Sequence, residues 1–281
     1  MDVVLIHGRG QSGKVASVSR DEWMVGLRQG FDRAGAQPTA LGEVHYPFYG
    51  DVLQDLVNKL PGKGRTLSRS TQPDAEVANR IDQELVEKLA ERAGVDRNEA
   101  VAPLPTTERG PDRWPAVHAL LRLIERRVPW TAEVAIGEQV DDVKAYISNA
   151  FIQNKVNELI LPVLRQSRCV VIAHSLGTVV AYIILANNSD LDVPLFVTAG
   201  SPLGIRAIQE KLPIPLKIPA ARWLNISDPK DIVAIYPTLD KTTFLDGIEN
   251  IADIDNGDEP HSIARYLSDG RVGRHLAAAL T

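Results

Sequence analysis

The chain has 281 residues, 44% of them hydrophobic and 24% charged, with a formal net charge of −5. That size and apolar share suit one large domain, or one domain with an insertion. The mild acidity leaves no electrostatic footprint for nucleic acid, the lone Cys169 excludes an intrachain disulfide, and no apolar run nears the roughly 20 residues that span a bilayer. Met1-Asp2 leads into an apolar run with no basic leader segment, so a cytoplasmic location is expected.

Val3-Val4-Leu5-Ile6 is a short continuous apolar run, as expected of a strand buried on both faces of a parallel sheet. It ends at His7-Gly8-Arg9-Gly10. Residues 21–34 read as an amphipathic helix, with Trp23, Leu27 and Phe31 four apart. Residues 39–45 read as a second strand, followed by Tyr46, Phe48 and Tyr49. From about residue 60 the character changes. Residues 61–73 read as a loop, residues 75–93 as a helix with Val77, Ile81, Leu85 and Leu89 four apart, and residues 114–128 and 139–161 as two more helices. The expectation is a single domain over 1–281 with a helical insertion over 60–150. A lid, a partner surface and a rigid cap all suit that insertion, whose Trp114 and Trp130 are its large apolar groups.

Strand and helix alternate again after residue 168. Strands are expected at 194–199, 222–226 and 249–254, with a closing helix over 261–280. Pro213, Pro215 and Pro219 interrupt Leu212, Ile214, Leu216 and Ile218, so that stretch cannot be a helix. Such alternation implies an α/β fold with a mostly parallel sheet.

The chemistry concentrates at Cys169-Val170-Val171-Ile172-Ala173-His174-Ser175-Leu176-Gly177. An apolar strand, a serine and the start of a helix follow in turn, the pattern small-x-Ser-x-Gly of a nucleophile elbow. The turn is tight enough that positions two before and two after the serine must be small. Ala173 and Gly177 meet that demand.

A serine hydroxyl is a poor nucleophile at neutral pH, so it needs a base in reach and a group that orients the base. Downstream of Ser175 the histidines are His261, at the mouth of a helix, and His275, in mid-helix. His261 is the better base. Asp231 and Asp228 both follow the strand expected at 222–226, and Asp231, preceding the apolar pair Ile232-Val233, is favoured as the acid. Asp255 and Asp258 rank behind them. A developing oxyanion needs two backbone N–H donors. Leu176, opening the helix, and Arg9, in the glycine-rich turn, are the candidates.

With these residues in place the chain resembles a serine hydrolase of the α/β-hydrolase superfamily, in the lipase/esterase group. The residues that carry the likeness are Leu5-Ile6-His7-Gly8, Ala173-His174-Ser175-Leu176-Gly177, Gly200-Ser201-Pro202-Leu203, Asp231 and His261. It covers about 1–50 and 165–281. It departs from the family pattern in having Ala173 where glycine is commoner, and a long stretch between His7 and Ser175. The resemblance implies an α/β-hydrolase fold and a triad of Ser175, Asp231 and His261. It also implies cleavage of a small-molecule or lipid ester through an acyl-enzyme, with no cofactor.

Two alternatives stand beside it. Gly8-Arg9-Gly10-Gln11-Ser12-Gly13-Lys14-Val15 nearly matches the phosphate-binding loop G-x-x-x-x-G-K-[ST], but Val15 stands where a magnesium-binding hydroxyl belongs. A non-catalytic α/β-hydrolase scaffold that binds a ligand or partner is the other. His45, His118 and His174 lack companions at metal-ligand spacing, so no metal site is expected.

Overall fold

The computed structural model describes residues 1–60, 80–81, 84–85, 87–89, 91–92, 142–214 and 218–281. The helix expected at 114–128, the loop at 61–73, and Trp114 and Trp130 lie outside the described residues, as do Pro215 and Leu216.

Six parallel strands form one sheet, in the order β2-β1-β3-β4-β5-β6. They are β1 (Asp2–Ile6), β2 (Val44–His45), β3 (Cys169–His174), β4 (Val193–Ala199), β5 (Ala220–Ile226) and β6 (Glu249–Ile251). Side chains alternate across a strand, and both faces here are buried. Val4, Ile6, Val171, Ala173 and Phe196 enter one core, while Val3, Leu5, Val170, Ile172 and Leu195 enter the other. This is why the central strands read as unbroken apolar runs.

The first core is covered by α2 (Gly50–Asn58), α3 (Ala150–Leu164), α4 (Leu176–Asn187) and the short α5 (Arg206–Gln209). The second lies under α1 (Ala16–Ala34), α6 (Ile263–Leu267) and α7 (Gly270–Ala279). Helix α4 is buried on nearly every side, from Leu176 to Leu185, and is apolar all round as such a helix must be. Within the expected insertion, Ile81, Leu85 and Leu89 are buried in the first core. No described helix is long and apolar enough to cross a membrane.

Several expected elements change shape. Strand β2 is shorter than the expected 39–45 because backbone groups before it bind the chain's two ends: Ala40 N–H reaches Leu280 O at 2.9 Å and Gly42 N–H reaches Met1 O at 2.8 Å. The expected closing helix is two helices. Arg33 draws off Ser268 O and Oγ at 2.9 Å each, and Asp269 caps a new start by accepting from Arg271 N–H at 2.7 Å. The helix expected at 139–161 breaks at Asn149, whose side chain caps α3 through the N–H groups of Phe151 and Ile152. Helices α2 and α5 are absent from the sequence expectation, and both are short, at 9 and 4 residues.

Candidate active site

The sheet order reverses between β1 and β3, since the chain leaves β1 toward β2 on one side and returns to β3 on the other. Parallel sheets open a crevice at such a switch point, beyond the carboxyl ends of the strands. Here the loops after β1 and β3 border a cleft of about 330 Å³ lined by Arg9, Gln11, Trp23, His174, Ser175 and His261 among others.

Ser175 stands between β3 and α4 with φ 56° and ψ −130°, the one non-glycine residue of positive φ among the described residues. Such a conformation costs about 1–3 kcal/mol and persists only where surroundings over-determine it. Its N–H donates to Ala199 O at 3.0 Å, while its carbonyl accepts from Thr178 N–H at 2.9 Å and Thr178 Oγ1 at 2.7 Å. A methyl group at Gly177 would lie 2.2 Å from Ile6 O and 2.5 Å from His7 O, so the elbow tolerates no side chain there.

Asp231 and His261 meet beside it. His261 Nδ1 lies 2.7 Å from Asp231 Oδ2. The same oxygen accepts from the Tyr266 hydroxyl at 2.7 Å, and Asp231 Oδ1 accepts from Val233 N–H at 2.8 Å. Burial of this carboxyl works to raise its pKa, but the His261 charge and hydrogen bond, Tyr266 and Val233 N–H together hold it below the usual carboxylate range. Burial and the adjacent carboxylate raise the Tyr266 phenol, so it remains a donor. Gly200, at φ 55°, makes room for the pair: a methyl there would lie 2.8 Å from Asp231 Oδ2 and 3.0 Å from His261 Nδ1. Among the described residues no hydrogen bond joins Ser175 Oγ to His261. Such bonds are often long without substrate and tighten in its complex.

The turn after β1 is held by His7. Its Nδ1 lies 2.6 Å from Gly8 O, and its Nε2 accepts from Tyr49 N–H at 3.0 Å. One nitrogen donates and the other accepts, so the ring is neutral. Burial lowers its pKa to about 4. Tyr46, Phe48 and Tyr49 pack around the ring, with Tyr49 stacked at 3.9 Å. A trans peptide points its C=O and N–H in opposite directions, so holding Gly8 O against His7 turns the Arg9 N–H the other way. A methyl at Gly8 would lie 2.7 Å from Ser175 Cβ, which places this turn against the serine. The Leu176 N–H belongs to the first turn of α4, where no intrahelical acceptor exists.

No family model, curated protein or solved structure matches this chain.

The other sequence candidates sit elsewhere or do other work. Asp228 is fully buried, and its carboxylate accepts from Lys230 N–H and Asn256 N–H, each at 2.7 Å. It closes the turn that Asp231 leaves. His275 lies on α7 beside Arg222, 2.8 Å from its Nη2. Asp255 pairs with Lys230 and Asp258 with Arg265 at the surface. The ring of His174 lies 4.4 Å from that of His261, and burial, then His261, hold His174 neutral. His45 approaches Asp2 and Glu43 at 3.7 and 3.8 Å. In the phosphate-loop look-alike, Gly13 N–H and Ser12 Oγ donate to Asp51 Oδ1 at 2.8 and 3.0 Å. A carboxylate thus occupies donors that a bound phosphate would need. No cluster able to hold a metal occurs among the described residues.

Sequence reasoning missed Tyr266, the lock made by His7, and Arg92, which binds the loop carrying Asp231. Tyr266 sits in an amphipathic helix where an aromatic residue reads as core, and no local signal sets it apart.

Proposed function

We propose that this protein is a serine hydrolase of the α/β-hydrolase type that cleaves carboxylic esters through an acyl-enzyme. The observation that carries the reading is the buried Asp231–His261 hydrogen bond in the cleft that holds Ser175 at positive φ. In this mechanism Ser175 Oγ attacks the acyl carbonyl and His261 Nε2 takes its proton. The Asp231 carboxylate holds the proton on Nδ1 and stabilises the imidazolium. The N–H groups of Leu176 and Arg9 receive the oxyanion, each worth about 3 kcal/mol in such sites. His261 then protonates the departing alkoxide. Water attacks the acyl-enzyme by the same route, its proton passing to His261 and then to Ser175 Oγ as the acid leaves. None of these steps calls for a cofactor.

Neither alternative gains an observation of its own. Asp51 already fills the phosphate-loop donors, and a scaffold needing no chemistry has no use for a strained serine beside a paired imidazole.

The test is labelling with a fluorophosphonate probe, followed by mass spectrometry. The expected result is modification at Ser175 and turnover of p-nitrophenyl acetate. Both should disappear in Ser175→Ala while the circular dichroism spectrum is retained. Ester hydrolysis persisting in that variant would sink the reading, as would a folded wild-type protein that is neither labelled nor active.

A further inference from the structure

Four backbone carbonyls of the loop that carries Asp231 converge on a single guanidinium from the expected insertion. Arg92 Nη1 donates to Pro229 O at 3.0 Å and to Asp231 O at 3.1 Å. Its Nη2 donates to Ala234 O at 2.9 Å and to Ile235 O at 2.6 Å. The same loop turns N–H groups inward, with Val233 and Ala234 reaching Asp231 Oδ1 at 2.8 and 3.4 Å. The guanidinium thus grips carbonyls on both sides of the two peptides whose N–H groups reach the carboxylate. Such carbonyls are costly to leave unpaired. A planar guanidinium with five donors fits them, and the ammonium of a lysine does not.

Arg92 is also the last member of a polar stripe. Arg80, Glu84, Lys88 and Arg92 recur every fourth residue, alongside the buried Ile81, Leu85 and Leu89. Arg80 pairs with Glu210. Glu84 accepts from Arg206 N–H at 3.0 Å, Ala207 N–H at 3.2 Å and the Tyr236 hydroxyl at 2.8 Å. Lys88 lies 5.5 Å over the Tyr236 ring. The stripe docks this part of the insertion along α5 and the residues after β5, and Arg92 ends it at the Asp231 loop.

We propose that Arg92 is a positioning residue: by gathering the outer carbonyls of residues 229–235 it holds the Asp231 carboxylate against His261. The insertion then acts on the acid of the triad. The kinetic part of this proposal rests on the serine-hydrolase reading, while its structural part does not. Among the described residues, the titratable groups that act on the pair include Asp228, Tyr266 and His174, with Arg92 a cation beside them.

The test compares wild type with Arg92→Met and Arg92→Lys in the full chain. It uses p-nitrophenyl acetate kinetics and the low-field proton resonance of the His261 Nδ1–H bonded to Asp231. A carboxylate displaced by a fraction of an ångström costs rate rather than binding. Arg92→Met is therefore expected to lose about tenfold to a hundredfold in kcat with KM little changed. The low-field resonance should weaken or move upfield. Arg92→Lys, which keeps the charge and loses the fork, should fall between. Wild-type kcat and an unchanged resonance in folded Arg92→Met, whatever its melting temperature, would overturn the proposal. If Arg92→Met does not fold, Arg92→Lys decides by the same two readouts. If wild type shows neither turnover nor labelling at Ser175, the hydrolase reading fails, and the resonance alone judges Arg92.

Discussion

Asp228 and Asp231 lie three residues apart, and both are fully buried. What separates them is what their oxygens face. Asp228 is surrounded by backbone N–H donors and by the Tyr266 hydroxyl, which accepts from its own N–H at 3.0 Å. Asp231 gives one oxygen to backbone N–H groups and the other to His261 and Tyr266. The two asparagine variants should therefore fail differently. Asp231→Asn presents an amide to His261 Nδ1 and favours the wrong tautomer, and a loss of about four orders of magnitude in kcat is expected with the fold kept. Asp228→Asn sets an amide against an N–H, and should cost about 1–3 kcal/mol of stability with a much smaller loss of kcat in the folded fraction. Urea unfolding and steady-state kinetics on both variants check this. Equal kinetic losses would remove the distinction.

Among the elements, the crossing of α1 with α6 and α7 shows how sequence propensity can mislead. Gly30 lies inside α1, where alanine ordinarily stabilises a helix by about 1 kcal/mol. Here a methyl at Gly30 would lie 2.1 Å from Leu267 O, and one at Gly273 would lie 2.1 Å from Gly30 O. The obstacles are backbone atoms, which cannot swing aside like a side chain. Overpacking of this kind costs about 1–3 kcal/mol or more and outweighs the propensity gain. Gly30→Ala is expected to destabilise the protein by about 2 kcal/mol, read as a lower urea midpoint with an unchanged slope. A stabilised variant would mean that α1 is free to move away from its neighbours. The described helical residues between 80 and 92 carry a related lesson. Their apolar stripe is plain in the sequence, but the polar stripe one position earlier looks like an ordinary solvated face until its partners are seen.

For the molecule as a whole, the buried histidines tie the fold to pH. Above about pH 6.5 His7 is neutral in both folded and unfolded chains and adds no pH dependence. As pH falls from there toward about 4, the unfolded chain takes up a proton that the folded one refuses, so stability falls. The full loss from His7 is on the order of 3 kcal/mol, of which about 2 kcal/mol is gone by pH 5. His174, also held neutral, acts in the same direction. Asp231 adds a stabilisation that is present above the ordinary carboxylate range and lost as pH falls through its lowered value, below the histidine window. Urea unfolding at pH 7 and pH 5 should show the drop. His7→Gln should be less stable at pH 7, because it loses the Gly8 and Tyr49 contacts, yet less sensitive to pH. An equal pH dependence in the two proteins would show that His7 is protonated in the fold. Two described residues of the stretch expected as an insertion also reach the loops around the site: Asp142 accepts from Arg9 Nε at 3.2 Å, and Arg92 binds the Asp231 loop.

The sequence by itself determined what local chemistry dictates. The apolar runs at 3–6, 169–173 and 194–199 suit strands buried on both faces, and the small residues around Ser175 suit a tight strand-to-helix turn. The alternation of strand and helix determined a parallel sheet. Tertiary structure alone decided which polar groups meet. Asp231 lies 30 positions from His261 and Arg92 lies 139 from Asp231, and no periodicity connects residues so far apart. The cuts at Ser268 and Asn149 also came from groups that capture backbone atoms, Arg33 from a distant helix and Asn149 from its own side chain. A hydrogen-bond partner drawn from another element leaves no imprint on local hydrophobic pattern. The elements were therefore legible in the chain, while the assembly of the site depended on the strand order, which brings the ends of β1, β3, β4 and β5 to one rim.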